Sequence, residues 1–393
     1  MRQKNAETKF STLLPLRLPS ELLDILCGFM SSWNMPESYC VSGSKYMSGN
    51  INQIKIILAV LILVGIGTFW YFVNNNTGKS SRIDTASDTP IQNIKNDSVA
   101  KEFNFENKGL KTNTAKLSIP LENILDGGPG KDSIPALTNP KFVSIKEASK
   151  DIKGDIDGIA VSSGKAVKFY PYSIMVWHEI VNDVVGDKSL TITFCPLCGS
   201  AIVFDAEING KAELFGVSGK LYESNLLMYD KSTESLWSQS IGTAVVGDRT
   251  GEKLSVYPSQ VVSFKILKEK WPNAEVLSTD TGYNRNYAFY PYGDYDNNDS
   301  LYFPISIKDS RFTPKEIMFV VNIYNKSVAF PVKQLSGSLA SVDVGGNKVI
   351  GAIIDGEIIV KDATGNILPG YHEMWFSWAT HHQEDGVVWK KID

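Results

Sequence analysis

The chain has 393 residues, 43% hydrophobic and 21% charged, long enough for one large or two ordinary domains and too apolar for wholesale disorder. Its formal net charge of −4 lacks the basic excess that nucleic-acid binding draws on, so no nucleic-acid partner is expected. Four cysteines are too few for a disulfide scaffold of this size, and four histidines limit any histidine-based metal site.

Residues 1–55 read as a leader with a doubtful start. The stretch LLPLRLPSELLDILCGF is broken by Pro15 and Pro19, and Met47 is followed by SGNINQIKIILAVL, the layout of an ordinary signal anchor. Met47 is therefore a candidate natural start. Residues Ile56 to Val73, IILAVLILVGIGTFWYFV, carry no charge and are just long enough to cross a hydrocarbon core of roughly 30 Å as one transmembrane helix. Trp70 and Tyr71 stand at its C-terminal end, where amphipathic rings favour the headgroup layer. Asn74, Asn75, Asn76 and Thr77 follow instead of a small-residue cleavage site, which favours a retained anchor over a cleaved signal peptide. Arg2, Lys4, Lys9, Arg17, Lys45 and Lys55 precede the segment and Lys79 and Arg82 follow it. The balance leans to a cytoplasmic N-terminus and an extracytoplasmic main domain, although Lys45 and Lys55 against Lys79 and Arg82 is a tie close to the membrane.

Residues 74–120 are rich in Asn, Lys, Asp, Ser and Thr and read as a flexible linker. From 121 to 393 short Val-, Ile-, Phe- and Tyr-rich runs alternate with Gly-Asp, Asn-Gly and Asp-Gly turns. The fold class expected is mainly β with a few short helices, a β-rich α+β domain. Strands are expected at Leu190–Phe194, Ala201–Phe204, Ala244–Val246 and Val349–Ile354. The best helical pattern is Ser173 to Val181, where Ile174, Trp177, His178 and Val181 share one face.

Two stretches resemble each other. Lys165, Val167 and Phe169 pair with Lys326, Val328 and Phe330; Val185-Gly186 pairs with Val344-Gly345; Asp205-Ala206 pairs with Asp362-Ala363. The offset of ~160 residues suits a duplicated β unit, with halves at about 121–300 and 301–393. The second stretch lacks the cysteines and the histidine of the first, so any chemistry is expected in the first half.

The sharpest local signal is Cys195-Pro196-Leu197-Cys198-Gly199 between two strand patterns. No helix follows to lower a thiol pKa in the thioredoxin manner. A strand-turn-strand knuckle with Gly in a left-handed position resembles half of a zinc-ribbon site. Cys27 and Cys40 lie before the anchor, so a third ligand has to come from a histidine or a carboxylate. His178, next to Glu179 and 17 residues before Cys195, is the candidate; a satisfied core histidine is the competing reading. Two thiolates and an imidazole suit zinc or copper. His381 and His382 are expected at a solvated tip. Glu179, Trp237, Ser238 and Gln239 are candidate pocket residues, although a turn and an ordinary strand also explain the last three. Gly216 to Lys220 lacks P-loop spacing, and no G-x-S-x-G, H-E-x-x-H or dinucleotide fingerprint is present.

Several segments together, DGGPGKDSIPALTNPKF, YPYSIMVWHEIVND, TFCPLCGSAIVFD and MYDKSTESLWSQSIGTAVVGDRTG, with a closing MWFSWATHHQED, resemble domain of unknown function family 3179. The resemblance covers about Asp126 to the end. It implies a bacterial or archaeal protein, usually with a signal or anchor segment, and it makes His178, Cys195 and Cys198 motif positions without giving them a role. Three readings follow: a mononuclear metal site at Cys195, Cys198 and His178; a redox pair at Cys195 and Cys198; and a non-enzymatic binding module presenting aromatic loops such as Tyr283 to Tyr295, with Tyr290 and Tyr292 as contacts. They rank in that order. The membrane is the one partner named, and the sequence leaves open whether the protein is an enzyme, and on what protein or small molecule it acts.

Overall fold

Apolar runs separated by tight turns pair as strands throughout residues 109–391, the part of the chain that the computed structural model describes. The leader, Met47, the candidate anchor Ile56–Val73 and residues 74–108 lie outside the described residues. Among the described residues no helix is long and apolar enough to cross a membrane.

The largest sheet has eight strands in the order 137–138, 180–185, 188–195, 200–205, 370–374, 317–323, 326–331 and 386–388. Its two outermost pairings are parallel and the rest antiparallel. Strands 188–195 and 200–205 are buried along almost their whole length, which explains their continuous apolar runs instead of alternation. A five-stranded antiparallel sheet, 124–126, 215–222, 225–230, 236–238 and 243–246, joins the large sheet in one apolar cluster containing Cys195, Leu197, Cys198, Phe215, Trp237, Trp375 and Trp378. Segment 109–120 contributes to the outer side of this five-stranded sheet: Leu110 is buried beside Leu227 and Tyr229. All four strands expected from the sequence are present, as 188–195, 200–205, 243–246 and 347–354.

The helical stretch is shorter than its pattern. The helix runs Tyr172–His178 and ends at Glu179, whose φ of 57° cannot continue a right-handed helix. Val181 therefore belongs to strand 180–185, hydrogen-bonded to strand 188–195. A further helix, Trp375–His381, escaped the periodicity because six of its seven residues are buried and it shows no polar face.

The two halves share hairpin geometry. In the first, pairs run from Gly158↔Pro171 to Ser163↔Ala166. In the second they run from Met318↔Pro331 to Ile323↔Lys326. Each hairpin leads through its proline into a short helix, Tyr172–His178 or Val332–Leu335. Strands 180–185, 188–195 and 200–205 follow in the first half, and 340–344, 347–354 and 357–361 in the second. The last connection differs. In the second half Asp355-Gly356 makes a two-residue turn between Ile354 and Glu357, whereas in the first half the cysteine knuckle occupies this place.

Candidate functional site

Cys195 is the last residue of strand 188–195, and Ser200 opposite it opens strand 200–205. The four residues between them form the knuckle. Its first closure is Cys198 N–H to Cys195 C=O at 3.1 Å. Gly199 takes φ 53°, the left-handed conformation expected for it and natural to glycine. Both cysteines are free thiols, and Cys195 is 2% and Cys198 0% exposed.

Three distant segments pin the knuckle. Met374 N–H donates to Cys198 C=O at 2.8 Å, Tyr295 O–H donates to Leu197 C=O at 2.8 Å, and the Cys198 thiol donates to Ser224 C=O at 3.2 Å. Ser224 and its neighbour Glu223 form a two-residue hairpin turn with φ of 63° and 50°. Such turns ordinarily use Asn-Gly, so backbone strain is concentrated against the thiol.

Two buried carboxyl groups flank the pair. On the Cys198 side, Ser240 Oγ and Ser377 Oγ each donate to Glu373 Oε1 at 2.6 Å. The Ser377 hydroxyl also reaches the Cys198 thiol. Burial raises the Glu373 pKa, with the two serine bonds opposing. On the Cys195 side stands Glu179, bonded to the Tyr292 hydroxyl. Burial lifts its carboxyl to about 8, and Tyr292 is in turn raised by burial and by the charges of Glu179 and Cys195. Burial pushes the Cys198 thiol well above its ordinary value, and its hydrogen bond and charge coupling to Cys195 push it further. Each thiol thus has a buried carboxyl group in its surroundings whose pKa burial raises.

A long connection, residues 278–316, covers the site with only one short 3₁₀ turn, Tyr295–Asn297. Connections of this length without secondary structure are commonly functional covers. Tyr287 bonds His178, Tyr292 bonds Glu179 and Tyr295 bonds the knuckle. The Tyr283 to Tyr295 loop therefore turns several of its rings inward: Tyr295 is fully buried, and Tyr290 and Tyr292 pack against the core while Tyr283 and Phe289 stay exposed.

A protein-family model described as "Protein of unknown function (DUF3179)" matches residues 131–367. The chain belongs to this family. No curated protein and no solved structure matches it. The match to the DUF3179 family includes the knuckle, His178 and the covering loop and ends before Glu373 and Ser377.

The DUF3179 domain does not bring His178 together with the cysteines. Its Nδ1 is 2.8 Å from Pro135 C=O and its Nε2 is 2.7 Å from the Tyr287 hydroxyl, so both nitrogens are engaged, as in a satisfied core histidine. Among the described residues no group of three or more His, Cys, Asp or Glu side chains is placed to hold a metal ion. Trp237 and Gln239 are buried core groups: Trp237 Nε1–H donates to Asp230 Oδ2 at 2.9 Å, and Gln239 accepts from Ser200 and Asn225 and donates to Thr193. Ser238 is buried with its hydroxyl unpartnered. Of the four candidate pocket residues, Glu179 bonds Tyr292 on the Cys195 side, Trp237 lies in the apolar cluster that holds both cysteines, and Gln239 bonds Ser200, the strand partner of Cys195. His381 and His382 are not a solvated tip. They end helix Trp375–His381, with both Nε2 atoms buried and unpartnered, because the aromatic face of that helix draws them into the core.

Glu373, Ser377, Ser240 and Ser224 were not legible as site residues. One signal was available for Glu373, an acid within the aromatic run YHEMWFSW, since a charge in an otherwise buried segment marks a functional candidate.

Proposed function

We propose that this protein is a membrane-anchored, extracytoplasmic dithiol that exchanges two electrons and two protons with an acceptor, cycling Cys195 and Cys198 between thiols and a disulfide. The observation that carries the reading is the placement of two free thiols on one four-residue turn, within hydrogen-bond reach of each other, between two buried carboxyl groups. In the forward direction both S–H bonds break and one S–S bond forms. The acceptor gains the electron pair. Glu373 lies next to Cys198 through Ser377 and is placed to take and return its proton, while Glu179, beside Tyr292 on the Cys195 side and holding its own proton up to about 8, is placed to supply one on the return step. A buried carboxyl within reach of a thiol can act as general base and general acid for its proton. An anchor at Ile56–Val73 would keep the dithiol on the oxidising side of the membrane, where such a pair has redox partners.

The +160 recurrence of hairpin register supports descent of both halves from one duplicated β unit. On that view the knuckle is an elaboration of a turn that stayed two residues long in the second half, and the chemistry belongs to the first half alone.

The deciding experiment equilibrates the protein in thiol–disulfide buffers of graded potential, then alkylates it and maps Cys195 and Cys198 by mass spectrometry. A reversible Cys195–Cys198 disulfide with a measurable midpoint supports the reading. Thiols that stay free in the most oxidising buffer, or a disulfide that no reductant opens in the folded protein, would overturn it. Zinc or copper held by the two thiolates is the second reading. The adjacent free sulfurs favour it, and it requires a third donor other than His178.

A further inference from the structure

Beside the knuckle lies a cleft of about 1150 Å³, slightly above the range of roughly 300–1,000 Å³ usual for small-molecule sites. Its wall is aromatic, with Tyr302, Phe303, Phe312 and Phe376 among its lining residues. The charges of the lining balance. Asp299, Asp309 and Glu316 face Lys308, Arg311 and Lys333, and Arg311 pairs with Asp309 at 2.7 Å and Lys333 with Glu316 at 3.2 Å. A cleft of this kind disfavours an ion, because a ligand charge would lose its hydration without a net countercharge. It favours a neutral molecule with a ring that can pack on aromatic faces.

The cleft adjoins the dithiol on more than one side. Tyr302 packs on Tyr295 with ring centroids 4.5 Å apart, and Tyr295 bonds the knuckle carbonyl between the two cysteines. Phe376 of the cleft is followed by Ser377, which reaches Cys198 and Glu373. Ser306, between the lining residues Ile305 and Lys308, donates its N–H to Glu223 at 2.7 Å, next to the Ser224 carbonyl that holds the Cys198 thiol. Leu301, Phe303, Ile305 and Phe312 pack on the same apolar cluster that contains both cysteines. Both sulfurs are buried, so a protein disulfide could make the sulfur–sulfur contact that exchange needs only if the packing over them opens. Between the cleft and the knuckle stand the Tyr302 ring, 47% exposed, and Tyr295 packed behind it.

We propose that this cleft binds a neutral quinone, the electron acceptor of the Cys195–Cys198 dithiol. The step balances: the two thiols lose two electrons and two protons and join in one disulfide, while the quinone carbonyls take them up and become the two hydroxyls of a hydroquinone. This role rests on the dithiol being redox-active, whereas binding of the quinone does not.

The test uses the full-length protein, reduced and then freed of reductant without air. The probe is duroquinone, whose ring carbons are all substituted and cannot add a thiol. Calorimetry should show binding to the wild type and to the Cys195→Ser/Cys198→Ser double variant, with hydroquinone and the Cys195–Cys198 disulfide formed by the wild type alone. Phe303→Glu, at a half-buried position of the cleft wall, should weaken binding at least about tenfold by placing a charge there. Phe303→Leu should keep binding, and diamide should still form the disulfide in both Phe303 variants. Absence of binding to wild type and double variant alike overturns the inference, and the diamide result then shows whether the dithiol reading stands without it. Binding that leaves both thiols reduced, or displacement of duroquinone by palmitate at a lower concentration than its own, overturns the acceptor role.

Discussion

Tyr295 donates its phenol hydrogen to the carbonyl of Leu197 at 2.8 Å, so a residue 98 positions further along the chain closes the turn that holds Cys195 and Cys198. The bond ties the covering loop to the knuckle at the point where the loop must lift for a sulfur to be reached. Tyr295→Phe keeps the ring and its packing on Tyr302 and removes this bond. A buried hydrogen bond contributes about 1 kcal/mol net, so the opened form should become roughly fivefold more populated. Timed iodoacetamide labelling of the native protein, read on the Cys195–Cys198 peptide, measures this directly. An unchanged labelling rate would mean that the loop does not control access.

The knuckle also depends on Gly199. At φ 53°, an added Cβ would meet Met374 Cγ and Cε at 3.1 Å, and the left-handed conformation itself costs a non-glycine residue roughly 1–2 kcal/mol. Gly164 has a similar φ of 58°, but a Cβ added there would meet nothing within 4 Å. Gly199→Ala should therefore lower the urea midpoint more than Gly164→Ala, with unchanged slope. Equal losses would show that Met374 yields freely and that only the backbone matters.

Stability should depend on pH with two opposed limbs. Glu179 holds its proton up to about 8 in the folded protein, against an ordinary value of 4.5. Between these values the folded state binds more protons than the unfolded one, and stability falls as pH rises, by up to about 1.4 kcal/mol per pH unit. His372 and His381 are depressed by burial to about 4 from 6.5. Below 6.5 the unfolded state takes up their protons first, and stability falls as pH drops towards 4. The optimum should lie between these limbs, on the acidic side of neutrality. Glu179→Gln retains an acceptor for the Tyr292 hydroxyl and removes the alkaline limb's main contributor. Its gain over the wild type should be of the order of a few kcal/mol at pH 8 and vanish near pH 4.5. Urea unfolding at pH 4.5, 6 and 8 checks this, and a gain that does not vary with pH would refute the assignment.

Why the strands and the knuckle could be read from sequence, and the chemistry around them only in part, follows from locality. Strand 188–195 and Gly199 are specified by residues next to each other, through β-branched runs and the one residue that accepts a left-handed φ without cost. Glu179 was legible as a candidate because it adjoins His178, but its positive φ, which ends the helix, has no sequence marker in a glutamate. Glu373 and Ser377 reach Cys198 through a pairing between strands 200–205 and 370–374 that rests on the single register pair His372↔Ala201. Nothing within either strand announces that contact. His178 shows the complementary case: its spacing from Cys195 suggested a ligand, while the two hydrogen-bond partners the fold gives it, Pro135 and Tyr287, lie 43 residues before it and 109 after it.

Glu373 offers the sharpest test of the proton-handling arrangement. Its Oε1 accepts from Ser240 and Ser377, and its Oε2 is buried without a partner. In Glu373→Gln the amide oxygen can keep both serine bonds, so the fold and the position of Ser377 against Cys198 should survive. The amide cannot take the Cys198 proton. General acid–base groups contribute roughly 10²–10⁴-fold, and the variant should form the Cys195–Cys198 disulfide about a hundredfold more slowly with diamide at pH 7. The difference should shrink as pH rises, because hydroxide then removes the proton that Glu373 no longer accepts. Equal rates across the pH range would leave Glu373 a structural partner of the two serines and remove it from the chemistry.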